Sequence, residues 1–137
     1  MCGIAGVFRF DDAPPTPDEL AGVRAMAAAQ QHRGPDDEGI WHDAQGRCSL
    51  GHRRLSIIDT SAAGHQPMLD ASGRWVISYN GEIYNFQELR AQLQACGITF
   101  RGRTDTEVLL QALALWGVDA LSRLDGMFAL AAFDRES

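Results

Sequence analysis

The chain has 137 residues, 45% of them apolar and 22% charged, and a formal charge of −6 from 12 basic and 18 acidic side chains. Such a length and composition predict one soluble domain that buries a real core without needing disulfides. The acidic balance argues against a nucleic-acid surface, and no apolar run approaches the roughly 20 residues of a membrane helix.

Taken in chain order, residues 2–10 read as a strand and Asp11 to Pro17 as a proline-rich loop. Thr16, Pro17 and Glu19 carry the signature of a capped helix start, with the helix running to about Gln31 and Leu20, Val23, Met26 and Ala27 on one face. His32 to Asp37 is a loop. Short strands are expected near 38–43, 47–51 and 53–59, with Ala44-Gln45-Gly46 as a turn between the first two. Asp59 to Pro67 is a polar loop, and Trp75, Ile77 and Tyr79 alternate with Val76 and Ser78 as in a strand. Asn85 with Glu88 opens a second helix that Gly97 stops. A third runs from Thr104 to about Trp116 with Val108, Leu109, Leu113 and Trp116 apolar, and a short one follows at 118–123. Met127 to Phe133 is a continuous apolar run, the pattern of a strand covered on both faces.

Strands in clusters with helices between them predict sheets sandwiched by helices, an α+β arrangement. The chain stops at Ser137, directly after the last strand, and reads as a sandwich incomplete at its C-terminus.

Three cysteines, Cys2, Cys48 and Cys96, cannot all pair within one chain, and the first ten residues are too short and too lightly charged for a signal peptide. They are therefore read as thiols in a cytoplasmic protein, with Cys48 and Cys96 structural. His32, His42, His52 and His65 lack zinc-site spacing, so no metal is expected. Trp41, Trp75 and Trp116 are expected in the core or half-buried.

Cys2 follows the initiator methionine and precedes Gly3. Removal of Met1 would leave it a free α-amino group, which titrates near ~7.7–8.0 and is partly unprotonated at neutral pH. Such an amine can activate the thiol of its own residue without a histidine. Alone, this reading competes with the blander one that Cys2 is the second residue of a buried strand.

Five segments change the balance: Cys2-Gly3-Ile4-Ala5-Gly6, His32-Arg33-Gly34-Pro35-Asp36, Arg54-Leu55-Ser56-Ile57-Ile58-Asp59, Tyr79-Asn80-Gly81-Glu82-Ile83-Tyr84-Asn85 and Thr104-Asp105-Thr106-Glu107. In that order and spacing, the chain from Cys2 to Phe133 resembles the class II (N-terminal nucleophile) glutamine amidotransferases, and among them the glutaminase domain of asparagine synthetases. The resemblance implies an αββα sandwich, with residues 1–137 forming an incomplete glutaminase domain and the synthetase domain absent from this sequence.

It also implies roles. Cys2 would be the nucleophile, and Asn80 and Gly81 the oxyanion hole; Asn-Gly after an alternating strand is also a strong hairpin signal, but a simple hairpin fits less well with Glu82 to Asn85 leading into a capped helix within a few residues. Arg54 would hold the α-carboxylate of glutamine, where a planar pair of donors suits the task, unless it is a solvated strand residue. Leu55 and Ile57 would lend backbone carbonyls within the stretch that includes Ser56 and Ile58. Asp105, with Glu82 nearby, would accept the α-ammonium, unless it merely caps the helix beside Thr104.

The function implied is glutamine hydrolysis, with ammonia passed to an ATP-dependent synthetase domain or chain that amidates activated aspartate. No cofactor is implied for the glutaminase half; ATP and Mg belong to the synthetase domain. The partners implied are L-glutamine and that domain, without nucleic acid or membrane, and a homodimer is compatible with them. The competing readings are an inactive glutamine-binding fragment or regulatory module of the same fold, and an amidotransferase with another acceptor.

Overall fold

The computed structural model describes residues 1–11, 13, 15–56 and 62–136. Its elements are β1 (Gly3–Phe8), α1 (Pro17–Ala29), β2 (Asp37–His42), β3 (Cys48–Arg54), β4 (Met68–Leu69), β5 (Trp75–Ile83), α2 (Phe86–Ala95), α3 (Asp105–Trp116) and β6 (Gly126–Asp134), with 3-10 turns at Ala62–Gly64 and Gly117–Arg123. Both sheets are antiparallel and three-stranded, ordered β1-β3-β2 and β4-β5-β6. Helix α1 packs on the first sheet, α3 packs on β4 and β5 of the second, and α2 lies against α3. The two sheets face each other where β3 and β1 meet β5, so the layers run helix, sheet, sheet, helix.

Local chemistry explains these boundaries. Thr16 Oγ1 accepts from the Glu19 amide while the Glu19 carboxylate accepts from the Thr16 amide, a complete capping box with Pro17 in the first turn. Gly97, at φ +87°, ends α2, and the Ile98 amide donates back to the Leu93 carbonyl. Thr104 Oγ1 accepts from the Glu107 amide at the start of α3, and the Glu107 carboxylate in turn accepts from the Arg101 and Gly102 amides.

The main core lies between the second sheet and its helices: Ile77, Tyr79 and Ile83 meet Leu89, Leu93, Val108, Leu109 and Leu113. A smaller cluster of Cys48, Leu50, Val76 and Phe133 sits between the sheets. Polar groups also join the sheets: Ser78 Oγ donates to the Gly51 carbonyl, and His52 Nε2 lies 3.0 Å from the Tyr79 carbonyl.

Several expectations needed correction. The strands expected near 47–51 and 53–59 are joined at His52 into one strand, β3, which ends at Arg54, residues 57–59 lying outside the described residues; the polar triplet His52-Arg53-Arg54 is buried and bonded rather than a break. Strand β5 continues past Tyr79 to Ile83, so Asn80-Gly81 is no hairpin turn but pairs with Ala129 and Phe128 of β6. Strand β6 is not covered on both faces. Among the described residues it is an edge strand, with Met127 71% exposed and Phe128 39% exposed, because its apolar residues were a guide to strand formation and not to what lies above them. Met26 is exposed, so the apolar face of α1 is narrower than expected. Asn85 makes no cap bond: its amide bridges to the Arg123 carbonyl and the Asp125 amide, tying the start of α2 to the approach of β6. Cys96 is exposed at the end of α2, whereas Cys48 is buried and its thiol is pushed up to about 11 by burial.

Candidate active site

The site grows from the ends of strands. Strand β1 places Cys2 immediately before its first residue, opposite the end of β3, where Gly3 pairs with Arg53. The Leu55 amide lies 3.3 Å from Cys2 Sγ, and Arg33 Nε donates to the Cys2 carbonyl at 3.2 Å. The His32 to Asp36 segment thus acts as a brace. Besides Arg33, the Gly34 carbonyl accepts from Arg53 Nε, and Asp36 accepts from the Ser56 amide at 2.7 Å. Arg53 also pairs with Glu38. A side chain at position 34 would collide with the Arg53 backbone, which is why the brace turns on glycine.

Arg54 ends β3 and is buried, with its guanidinium against Gly64. A Cβ on Gly64 would fall 1.9 Å from Arg54 Nη2, so the missing side chain at 64 is the space the guanidinium occupies. Asn80 and Gly81 lie in the second half of β5. A Cβ on Gly81 would fall 2.4 Å from the Met127 carbonyl and 2.6 Å from Phe128 Cα, so β6 passes too close for any other residue.

Asp105 begins α3 and is 5% exposed. Its Oδ2 accepts from Tyr79 Oη at 2.8 Å and the Ile83 amide at 3.2 Å, and its Oδ1 accepts from the Thr106 amide at 3.0 Å. The cap bond of α3 belongs to Thr104, which leaves Asp105 turned toward β5.

These elements enclose a cavity of about 500 Å³. Cys2, Arg54, Leu55, Asn80, Gly81, Glu82 and Asp105 all line it, although they come from four separated stretches of chain. Met1 also lines it and is 74% exposed. Ser56 is not among the lining residues, and Ile57 and Ile58 lie outside the described residues.

The sequence reading missed Gly64, Gln66, Tyr79, Thr104, Thr106 and the Met127–Ala129 stretch as cavity wall. Gln66 is the most informative of these. Its Oε1 accepts from the Tyr79 amide at 2.7 Å and its Nε2 donates to Thr106 Oγ1 at 3.3 Å, tying β5 to the start of α3. A glutamine in a polar loop carries no pattern that could have marked it; the role exists only once the loop folds back. Among the described residues, no group of three or more His, Cys, Asp or Glu side chains could hold a metal ion, and no helix is long and apolar enough to cross a membrane.

Behind the cavity, His52 is 1% exposed. A carbonyl can only accept, so the ring nitrogen facing Tyr79 carries the proton, and Nδ1 is buried without a partner among the described residues. Burial lowers its pKa to about 4, the Tyr79 carbonyl opposing the shift.

A glutamine amidotransferase domain family model matches residues 1–137. Asparagine synthetase [glutamine-hydrolyzing] 1 of Bacillus subtilis is 41% identical over 135 residues, covering 98% of this chain and 21% of that protein. A putative asparagine synthetase of Mycobacterium tuberculosis is 39% identical over 145 residues, covering 98% of this chain and 22% of that protein. A second putative asparagine synthetase, from Methanocaldococcus jannaschii, is 37% identical over 153 residues, covering 99% of this chain and 28% of its own length. The chain therefore spans between a fifth and a third of these relatives. Among solved structures, the glutamine phosphoribosylpyrophosphate amidotransferase of B. subtilis shares the fold at a TM-score of 0.70 and 21% identity, covering 96% of this chain and 35% of that one.

Proposed function

Because the chain belongs to the glutamine amidotransferase domain family, we propose that it hydrolyses the side-chain amide of L-glutamine to glutamate and ammonia, with Cys2 as the nucleophile. The observation that carries this reading is the single cavity lined by Cys2, Arg54, Asn80, Gly81 and Asp105. A thiol, one cation, a carboxylate and an Asn-Gly pair are the groups needed to hold a zwitterion by its head and attack its far end.

In this mechanism Met1 is removed first, and the freed α-amino group of Cys2 takes the thiol proton. The thiolate attacks the amide carbon. The Asn80 side-chain amide and the Gly81 N–H stabilise the oxyanion that forms, a term typically worth ~10²–10³ in rate per donor. The amide nitrogen leaves as ammonia after accepting the proton from the α-ammonium, and water then cleaves the thioester to release glutamate. Arg54 pairs with the substrate carboxylate, and Asp105 accepts from its ammonium. None of these steps uses a metal or organic cofactor.

The ammonia would be passed to an ATP- and Mg-dependent synthetase domain or chain, where it amidates an activated carboxylate. Support for aspartate as that acceptor comes from the relatives named as asparagine synthetases. The same fold acting as a glutamine-binding module without turnover is the competing reading, favoured where Met1 persists. Intact mass and turnover separate the two. The chain lacking Met1 should release glutamate from glutamine without ATP, and Cys2→Ala should lose that release by at least about 10³-fold while still folding. Undiminished turnover in Cys2→Ala removes Cys2 from the reaction.

A further inference from the structure

Tyr79 contributes three groups to three different elements. Its amide donates to Gln66 Oε1, its carbonyl faces His52 Nε2, and its hydroxyl donates to Asp105 Oδ2. Gln66 Nε2 in turn donates to Thr106 Oγ1, next to Asp105. The result is a closed circuit from β5 through the loop before β4 to the start of α3, and back to β5 through the tyrosine hydroxyl. Tyr79 is 2% exposed, and burial followed by the Asp105 charge raises the pKa of its hydroxyl, so it remains a donor.

An ionised carboxylate offers about four acceptor positions. In Asp105, Oδ2 already accepts from Tyr79 and Ile83, and Oδ1 from Thr106. Among the described residues, the open position is on Oδ1. We propose that Tyr79 is a positioning residue that fixes the Asp105 carboxylate so that one oxygen alone is left to receive the substrate's α-ammonium, making recognition of that ammonium directional. This rests on the reading of glutamine as the ligand and adds a residue to its recognition. Without the hydroxyl, Asp105 Oδ2 loses a buried donor and the carboxylate can rotate. The penalty should then appear in binding of the ammonium, with the reacting amide end unaffected.

The test uses the Cys2→Ala chain, which binds without turnover, and compares glutamine with glutaramic acid, the same molecule lacking the α-amino group. Adding Tyr79→Phe should raise the Kd for glutamine about 3- to 10-fold by calorimetry, the size of one ordinary hydrogen bond, because the loss reaches the ligand through Asp105. The Kd for glutaramic acid should stay within about twofold. Equal weakening of both ligands, or no weakening of glutamine, overturns the proposal. Asp105→Asn is a second variant with the same expected selectivity, and a loss shared equally by both ligands there overturns it as well. Failure of the Cys2→Ala chain to bind glutamine overturns both this proposal and the reading beneath it. Ammonium-selective binding with no glutamate release from the active chain defeats only the glutaminase reading.

Discussion

Among the histidines, His52 is the one whose titration the fold most alters. The folded protein holds it neutral with a pKa of about 4, because burial disfavours the imidazolium. The unfolded chain takes up this proton near 6.5. Stability from this group is therefore complete above about pH 6.5 and falls as pH drops toward 4, by roughly 3 kcal/mol in all. Urea midpoints measured from pH 7 to 4 should show that slope, and His52→Gln should flatten it while lowering stability at pH 7. Two residues further on, Arg54 depends on an absence. Gly64→Ala should leave the fold intact but push the guanidinium from its seat, since only the mobile end of a side chain is met. The expected outcome is a rise in KM for glutamine of about tenfold, approaching that of Arg54→Ala, with kcat less affected. Cys2, Arg54, Asn80, Gly81, Glu82 and Asp105 could be named from sequence because each lies in a short ordered motif. Gln66 and Gly64 lie in no such motif, and Tyr79, although it opens one, takes its role from what the strand meets across the cavity.

Elements were legible where local chemistry decided them. Thr16, Pro17 and Glu19 announce α1, and the capping box is present. Gly97 was a sound stop for α2. Boundaries failed where tertiary partners overrode local preference. Asn-Gly favours a turn, yet it is drawn into β5 by nine paired positions with β6. His52 looked like a gap between two strands, yet one of its ring nitrogens meets a carbonyl from the other sheet. The close passage of β6 over Gly81 gives a prediction of its own. In Gly81→Ala the new methyl meets backbone rather than a movable side chain, so β5 and β6 must separate. The expected cost is about 2 kcal/mol or more, seen as a lowered thermal midpoint, in contrast to the tolerated Gly64→Ala.

At the scale of the molecule, two stacked sheets with helices outside were foreseeable from the clustering of strands between helical segments. What could not be read was which strands lie at the edges. The apolar run of β6 looked like a centre strand, but among the described residues it pairs only with β5, and its outer residues Met127 and Phe128 are exposed. Composition reports that a segment avoids water, not which neighbour keeps the water away. The family relationship supplies the wider frame, since this chain corresponds to about a fifth of B. subtilis asparagine synthetase 1.

The nine residues of β5 put Val76 and Ile77 in the protein's interior and Asn80 and Gly81 in the cavity wall, on one continuous ribbon. A working part built into a strand cannot loosen ahead of the body that holds it, as a mobile loop can. Heating should accordingly extinguish turnover and aromatic circular dichroism at one shared temperature. An enzyme that fell silent several degrees before its tertiary signal collapsed would place the decisive groups elsewhere than on this strand.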